Sequence, residues 1–258
     1  MNLLSILGLA SILATAAADE LPAGWKLVWQ DEFDQAQLDP AKWAPCKRGT
    51  SDWDDTMSAD PHLIELKDGL LRLHGVANED RQKDPSSFLT GGVTSSGKFQ
   101  FHHGRMETRA RFKSAQGAWP AIWLLPTGMQ WPAGGEIDIM EHLNFEDLVY
   151  QTIHTPYTIE AKKTPKPDDN VRTTPVKKDE FNVYGLEWDP DRIVFLVNGK
   201  PSFTYKRDEA KGPDQWPFGH PMYVILSMQI GGSWVGEPIP QQYPAYIEID
   251  WVRVYERK

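Results

Sequence analysis

Three carboxylates fall within six residues in the stretch Gly135 to His142, where Glu136, Asp138 and Glu141 are threaded through Ile137, Ile139 and Met140. Acids alternating with β-branched residues give period two, the pattern of a half-buried strand showing Glu136 and Asp138 on one face. Counting on by twos reaches Met140, so a regular strand would turn Glu141 to the apolar side, where an unpaired carboxylate is costly. A β-bulge at Ile139-Met140 absorbs one residue and returns Glu141 to the face of the other two. The Cα atoms of Glu136 and Glu141 are then roughly 13 Å apart at ~3.3 Å per residue. Two Glu side chains leaning together across a bent strand bring their carboxyls within about 5–6 Å, close to the separation used in retaining glycoside hydrolysis. Asp138 is too near both for all three to ionise freely. At least one acid therefore keeps its proton near neutral pH, supplying a proton donor beside an attacking carboxylate.

Blander readings compete with this one. Acids on an exposed strand face are more often simply solvated, and the three-residue step from Asp138 to Glu141 also fits a helix. Trp119, Trp123 and Trp131 stand within twenty residues upstream of the acids. Sugar rings stack on aromatic faces, so acids and indoles in one short stretch point to a carbohydrate site. A metal-hydrolase reading would join Glu141, His142 and His154, but neighbouring residues on a strand point to opposite faces and the chain has no HExxH. A non-catalytic lectin is a further alternative, and it has no need for both Glu136 and Glu141.

The elements that must position these residues read mainly as short strands. Trp25 to Trp29, Leu70 to Val76, Val93 to Phe99, Gly104 to Phe112, Ala121 to Leu125 and Leu148 to His154 each carry strand patterning. So do Phe181 to Trp188, Arg192 to Val197, Pro201 to Tyr205, Met222 to Ile230 and Ala245 to Tyr255, with a type I′ turn expected at Asn198-Gly199. Asp39 to Pro61 reads as a long loop, in which Trp43 and Trp53 either wall a substrate or pin the loop to the body. Ile159 to Lys178, rich in Pro, Lys and Asp, reads as a surface excursion. In Gly104 to Phe112 the residues Arg105, Glu107, Arg109 and Arg111 share one face, where structural ion pairing outweighs sugar binding. Many short strands with almost no helical period exclude a TIM barrel and a Rossmann fold and favour a two-sheet β-sandwich.

With 258 residues, 40% of them hydrophobic, the chain is long enough for one large domain burying roughly 70–75% of its unfolded surface. A formal net charge of −9 disfavours nucleic acid and anionic membranes as partners. Leu3 to Leu13 form an apolar run followed by small residues up to Ala18, the shape of a signal peptide (residues 1–18) too short to span a bilayer. Export with cleavage near Ala18 and a mature segment of 19–258 are expected, to the periplasm or beyond. Cys46 is the single cysteine, so it is read as a structural thiol and internal disulfides are excluded. A monomer is the default expectation.

The runs Gly117 to Pro126 (GAWPAIWLLP) and Trp131 to His142 (WPAGGEIDIMEH) resemble glycoside hydrolase family 16, in its laminarinase-like branch. Trp29 to Phe33, Gly104 to Phe112, Tyr184 to Gly199 and Ile249 to Tyr255 resemble the family too, in the family's order. The resemblance implies an all-β, concanavalin-like jelly roll whose concave sheet forms a substrate cleft, with the acids at its floor. It implies an endo-acting retaining β-glycosidase in which Glu136 is the nucleophile, Glu141 the acid/base and Asp138 the group that tunes the nucleophile. His154, Gln229 and Trp234 join the three upstream Trp residues as expected substrate-binding groups. No cofactor is expected for catalysis. A structural calcium ion is implied away from the acids, with Asp250 as its side-chain ligand, although Asp250 could equally cap or pair within the last strand. The segments Met140 to Asn144, Val149 to His154 and Leu226 to Gly236 are similar in texture to gut-bacterial endo-O-glycanases. That favours β-1,4-galactosyl bonds of poly-N-acetyllactosamine in mucin-type O-glycans as substrate, ahead of β-1,3-glucan.

Overall fold

The computed structural model describes residues 22–161 and 170–258. The expected leader lies outside the described residues. Sixteen strands follow in chain order: β1 (Trp25–Asp31), β2 (Ala44–Pro45), β3 (Ile64–Lys67), β4 (Leu70–Ala77), β5 (Phe88–Thr90), β6 (Gly92–Thr94), β7 (Gly104–Lys113) and β8 (Ala118–Pro126). The second half adds β9 (Glu136–Glu141), β10 (Leu148–His154), β11 (Val171–Pro175), β12 (Asn182–Asp189), β13 (Arg192–Val197), β14 (Lys200–Lys206), β15 (Met222–Ile230) and β16 (Ala245–Arg257). They form two antiparallel sheets. One is ordered β14-β13-β12-β7-β16-β4-β3, with β1 on β16 and β5 on β4; the other is ordered β11-β10-β9-β8-β15-β6-β2. This is the expected all-β jelly-roll sandwich.

The hydrophobic core lies between the sheets. Ile122 and Leu124 of β8, Ile137, Ile139 and Met140 of β9, and Leu226 and Met228 of β15 meet Leu71, Met106, Leu186, Phe195 and Ile249 from the nine-stranded sheet. Nearly every residue of β8 and β15 is buried, in keeping with their nearly continuous apolar sequence. The other face of the seven-stranded sheet carries the acids.

Most elements lie where their patterning places them, but the short strands β2, β3 and β5 were not expected, β2 falling inside the expected loop Asp39 to Pro61, and other segments differ in extent or kind. Strand β8 begins three residues before Ala121, which puts Trp119 within the sheet. The expected strand Val93 to Phe99 is reduced to β6, because its backbone turns after Thr94, where Phe99 N–H bonds to the Ser95 carbonyl. Within the expected excursion Ile159 to Lys178, β11 adds an edge strand to β10, so that segment is partly sheet; its alternating Thr and Arg sides suit an exposed edge. Residues 162–169 of it lie outside the described residues. A short helix, α1 (Pro156–Ala161), follows β10. At the β13–β14 hairpin, Asn198 and Gly199 both have positive φ, 50° and 73°, as a type I′ turn requires.

The charged stripe of β7 faces away from the acids of β9. Arg105 pairs with Glu107 and Glu187, Arg109 with Asp250, and Arg111 with Glu248, which also holds Arg72. The ion-pair reading of that stripe therefore holds, on the nine-stranded sheet.

Candidate active site

The bulge is present where the acids require it. Against β10, Glu141 pairs with Tyr150 while Asp138 pairs with Thr152, so Ile139 and Met140 together oppose Gln151 alone. Both Ile139 and Met140 are fully buried in the core. Two consecutive side chains turned inward make the next one turn outward, and Glu141 joins Glu136 and Asp138.

All three acids line one cleft of about 500 Å³, together with Trp119, Trp123, Tyr150, Thr152, His154, Gln229 and Trp234. The sheet register explains this grouping. Ala121 and Tyr150 flank Glu141, Trp123 and Thr152 flank Asp138, and His154 stands opposite Glu136. On the next strand Ser227 pairs with Ala121 and Gln229 with Trp119.

Each acid has its own holders. Trp119 Nε1 donates to Glu141 Oε1 at 3.0 Å and the Thr152 hydroxyl to Glu141 Oε2 at 3.3 Å. Trp131 Nε1 donates to Glu136 Oε2 at 2.5 Å. His154 Nε2 lies 3.3 Å from Asp138 Oδ2. Asp138 is in turn hydrogen-bonded to Glu136, which needs a proton between the two carboxyls. Removal from water is the main cause of the raised Glu136 pKa, about 8, with the Asp138 charge adding to it and His154 opposing it. Burial likewise lifts Glu141 to about 7, with His154 again opposing. The cluster shares its protons and titrates as a unit, retaining protons into the neutral range. Chemically it offers a proton donor and a carboxylate on one face, under aromatic walls.

The indoles divide by role. Trp119 and Trp234 meet edge to face at 5.5 Å, and Tyr150 packs on Trp234 at 5.0 Å, giving an aromatic corner beside Glu141. Trp123 is packed by Trp53 at 4.9 Å and donates to the Ser227 hydroxyl at 3.1 Å. Trp131 stands 55% exposed outside the lining of the cleft and reaches the site through Glu136. Of the two loop indoles, Trp53 lines the cleft, while Trp43 is a core residue whose Nε1 donates to Asp31 at 2.9 Å.

Tyr150, Thr152, Asn170 and Ser227 line or support the cleft without having been singled out in the sequence. Tyr150 and Thr152 follow from period two counted back from His154; Asn170 borders β11, which the sequence did not reveal.

Neither metal reading is supported by the geometry. His142 is fully buried, packs on Phe112 at 4.2 Å and bonds through Nε2 to the Glu146 carbonyl, so it lies on the core side, away from Glu141. Burial lowers its pKa to about 4. The Glu141–His142–His154 metal reading is thereby lost. Asp250, expected to hold calcium, has its carboxylate paired with the Arg109 guanidinium, which stacks over Phe181. A hard cation needs six or more oxygens, and a site whose acid is already neutralised by arginine does not fit it. Asp250 takes the ion-pair role instead. Among the described residues, the grouping with ligand atoms close enough for an ion is Glu136, Asp138 and His154, inside the acid cluster itself.

Comparison with known proteins agrees with this geometry. Residues 56–253 match the model of glycosyl hydrolases family 16. A keratan-sulfate endo-1,4-beta-galactosidase from Sphingobacterium multivorum is 36% identical over 90% of this chain, which spans 55% of that protein's length. A beta-glucanase from Rhodothermus marinus is 33% identical over 98% of this chain and 92% of its own. The laminarinase structure from Rhodothermus marinus superposes with a TM-score of 0.80 at 30% identity, covering 91% of this chain and 98% of that one. A structure reported with the endo-acting O-glycanases that human gut microbiota express to initiate mucin breakdown also superposes with a TM-score of 0.80, at 27% identity over 90% of this chain and 100% of that one. With its acids, bulge and sandwich in place, the chain belongs to the glycosyl hydrolases of family 16.

Proposed function

We propose that the protein is an endo-acting retaining β-glycosidase that cuts β-1,4-galactosyl bonds within poly-N-acetyllactosamine chains of mucin-type O-glycans. The observation that carries the mechanism is the bulge, which sets Glu136 and Glu141 on one face of one strand. Burial favours the protonated form of Glu141, and the donors Trp119 and Thr152 oppose this only in part. The proton held between Glu136 and Asp138 must lie on Asp138 in the reacting form, leaving Glu136 as the carboxylate. Glu141 protonates the glycosidic oxygen as Glu136 bonds to the anomeric carbon. Glu141 then takes a proton from water, which displaces Glu136 with a second inversion and so retains the configuration. An open, aromatic-walled cleft suits an internal segment of a chain.

The substrate reading rests on the keratan-sulfate galactosidase and the gut O-glycanase neighbours. A second reading, endo-β-1,3-glucanase, is supported by the beta-glucanase relative, which this chain matches along nearly its whole length. The apolar leader supports action outside the cytoplasm. Product analysis on keratan, mucin O-glycans, laminarin, mixed-linkage glucan and agarose tests the assignment. Internal fragments ending in galactose are expected from the first two, and exclusive cleavage of laminarin would move the chain to the second reading. Glu136→Gln and Glu141→Gln are each expected to lose at least ~10³-fold in kcat while remaining folded, and near-normal turnover in either variant contradicts the mechanism.

A further inference from the structure

Gln229 presents a polar group that the protein leaves unused. Its side chain is 2% exposed and lines the cleft. Nε2 donates to the Ser227 hydroxyl at 3.2 Å, and Oε1 is buried with no hydrogen-bond partner. Ser227 is itself fixed, because its hydroxyl also accepts from Trp123 Nε1 at 3.1 Å. With Nε2 turned to Ser227, the amide presents its oxygen, so the group it lacks is a donor. A buried amide oxygen without a partner costs free energy, and at the floor of a cleft the natural partner is the ligand.

The register places this group beside the reacting acids. Gln229 pairs with Trp119, the residue that donates to Glu141, and Ser227 pairs with Ala121, which pairs in turn with Glu141. Ala121 and Ser227 are small, so the floor is low between the Trp119 and Trp123 indoles. Gln229 lies with Trp119, Ala121 and Trp123 in the lining of the cleft, where a sugar over β8 and β15 would meet it.

We infer that Gln229 is a specificity-determining residue, its side-chain amide hydrogen-bonding a donor on the sugar unit bound over β8 and β15, either a ring hydroxyl or the N–H of a 2-acetamido group. This rests on the glycosidase reading and deepens it. Ser227 and Trp123 act as positioning residues that hold the amide. A sugar without a donor at that place leaves the amide unpaired and is rejected.

Gln229→Met keeps the length of the side chain and removes its polar atoms; Gln229→Glu keeps an acceptor oxygen. Each is assayed for kcat and KM on N-acetyllactosamine oligomers, chemically N-deacetylated oligomers and β-1,3-gluco-oligosaccharides, with melting temperature as the check of folding. Binding of the same oligosaccharides to Glu136→Gln, with and without Gln229→Met, is measured by calorimetry, so the role is read even where turnover is absent. The expected result is a loss of about 5- to 20-fold in kcat/KM and in affinity for Gln229→Met, with partial recovery in Gln229→Glu. A loss confined to N-acetylated oligomers assigns the acetamido N–H, and an equal loss on all identifies a hydroxyl. If Gln229→Met does not fold, Gln229→Glu against wild type carries the comparison, read as a change in the ratio between oligomer classes. Unchanged rates, affinities and ratios in folded variants overturn the inference and leave the glycosidase reading intact; a wild type that binds sugars without cleaving any removes that reading while leaving Gln229 to be judged by the calorimetry.

Discussion

Carboxyls taken out of water hold their protons, and Glu136 and Glu141 are pushed to about 8 and 7 for that reason. With Asp138 hydrogen-bonded to Glu136, full ionisation would place like charges side by side at buried positions. Catalysis requires a proton on Glu141 while Glu136 is charged, so the proton that matters is the one Glu141 carries. The account predicts that kcat/KM falls as pH rises through about 7 to 8, with the slope of a single proton, in a pH–rate profile of the wild type. A rate that stays level to pH 10 would show that no titrating acid is needed. The three acids were legible in the sequence because their spacing breaks period two in a way only a bulge repairs. Their holders were less legible: Trp119 and Trp131 read as sugar platforms, yet both indole N–H groups are engaged by carboxylates.

At the level of strands, acids have opposite meanings on the two sheets. Those of β9 share a cleft whose lining, among the described residues, holds no Lys or Arg, whereas Glu248 of β16, also buried, is held by Arg72 and Arg111. Although burial alone would raise it, hydrogen bonds from the two guanidinium groups leave its pKa below the ordinary value. Its contribution is therefore present above the usual Glu range and is lost as pH falls through the lowered value. Glu248→Gln is expected to cost about 1–3 kcal/mol, discounted because both Arg partners are part-exposed, and to leave kcat/KM unchanged. Calorimetric melting and a standard assay check this, and a large loss of activity without loss of stability would contradict the separation of the two faces. The alternation of Arg with buried residues in β7 made this stripe readable. β11 was not readable, because Pro-rich flanks and exposed polar residues give an edge strand no apolar face to betray it.

For the molecule as a whole, the site is a place where folding and function pull apart. The folded pKa of Glu136, near 8, stands above its ordinary 4.5, so stability from its protonated form is complete below about pH 4.5 and is lost as pH rises through 8. Glu136→Gln, neutral at every pH, is expected to melt about 3–6 °C above wild type at pH 8.5, with the gain shrinking towards zero at pH 5. An equal difference at both pH values would mean that Glu136 is not held in a desolvating site. The sandwich was foreseeable from the recurrence of short strands, and burial along nearly all of β8 and β15 explains why those segments showed no alternation. Long-range pairings such as β6 and β8 with β15 leave no local trace in sequence, and that is why Ser227 was not foreseen on the strand beyond Ala121, the neighbour of Glu141. Burial of Cys46, whose thiol is pushed up to about 12, agrees with a structural role and makes it unreactive.

The central claim is that Glu136 bonds to the sugar while Glu141 moves the proton. Trapping with a 2-fluoro glycoside that forms the covalent intermediate quickly and hydrolyses it slowly, followed by peptide mass mapping, tests it directly. The account predicts one added glycosyl group on the peptide containing residues 136–141, localised by fragmentation to Glu136, and no label in Glu136→Gln. A label on Asp138 or Glu141, or full inactivation with no covalent adduct, would contradict it.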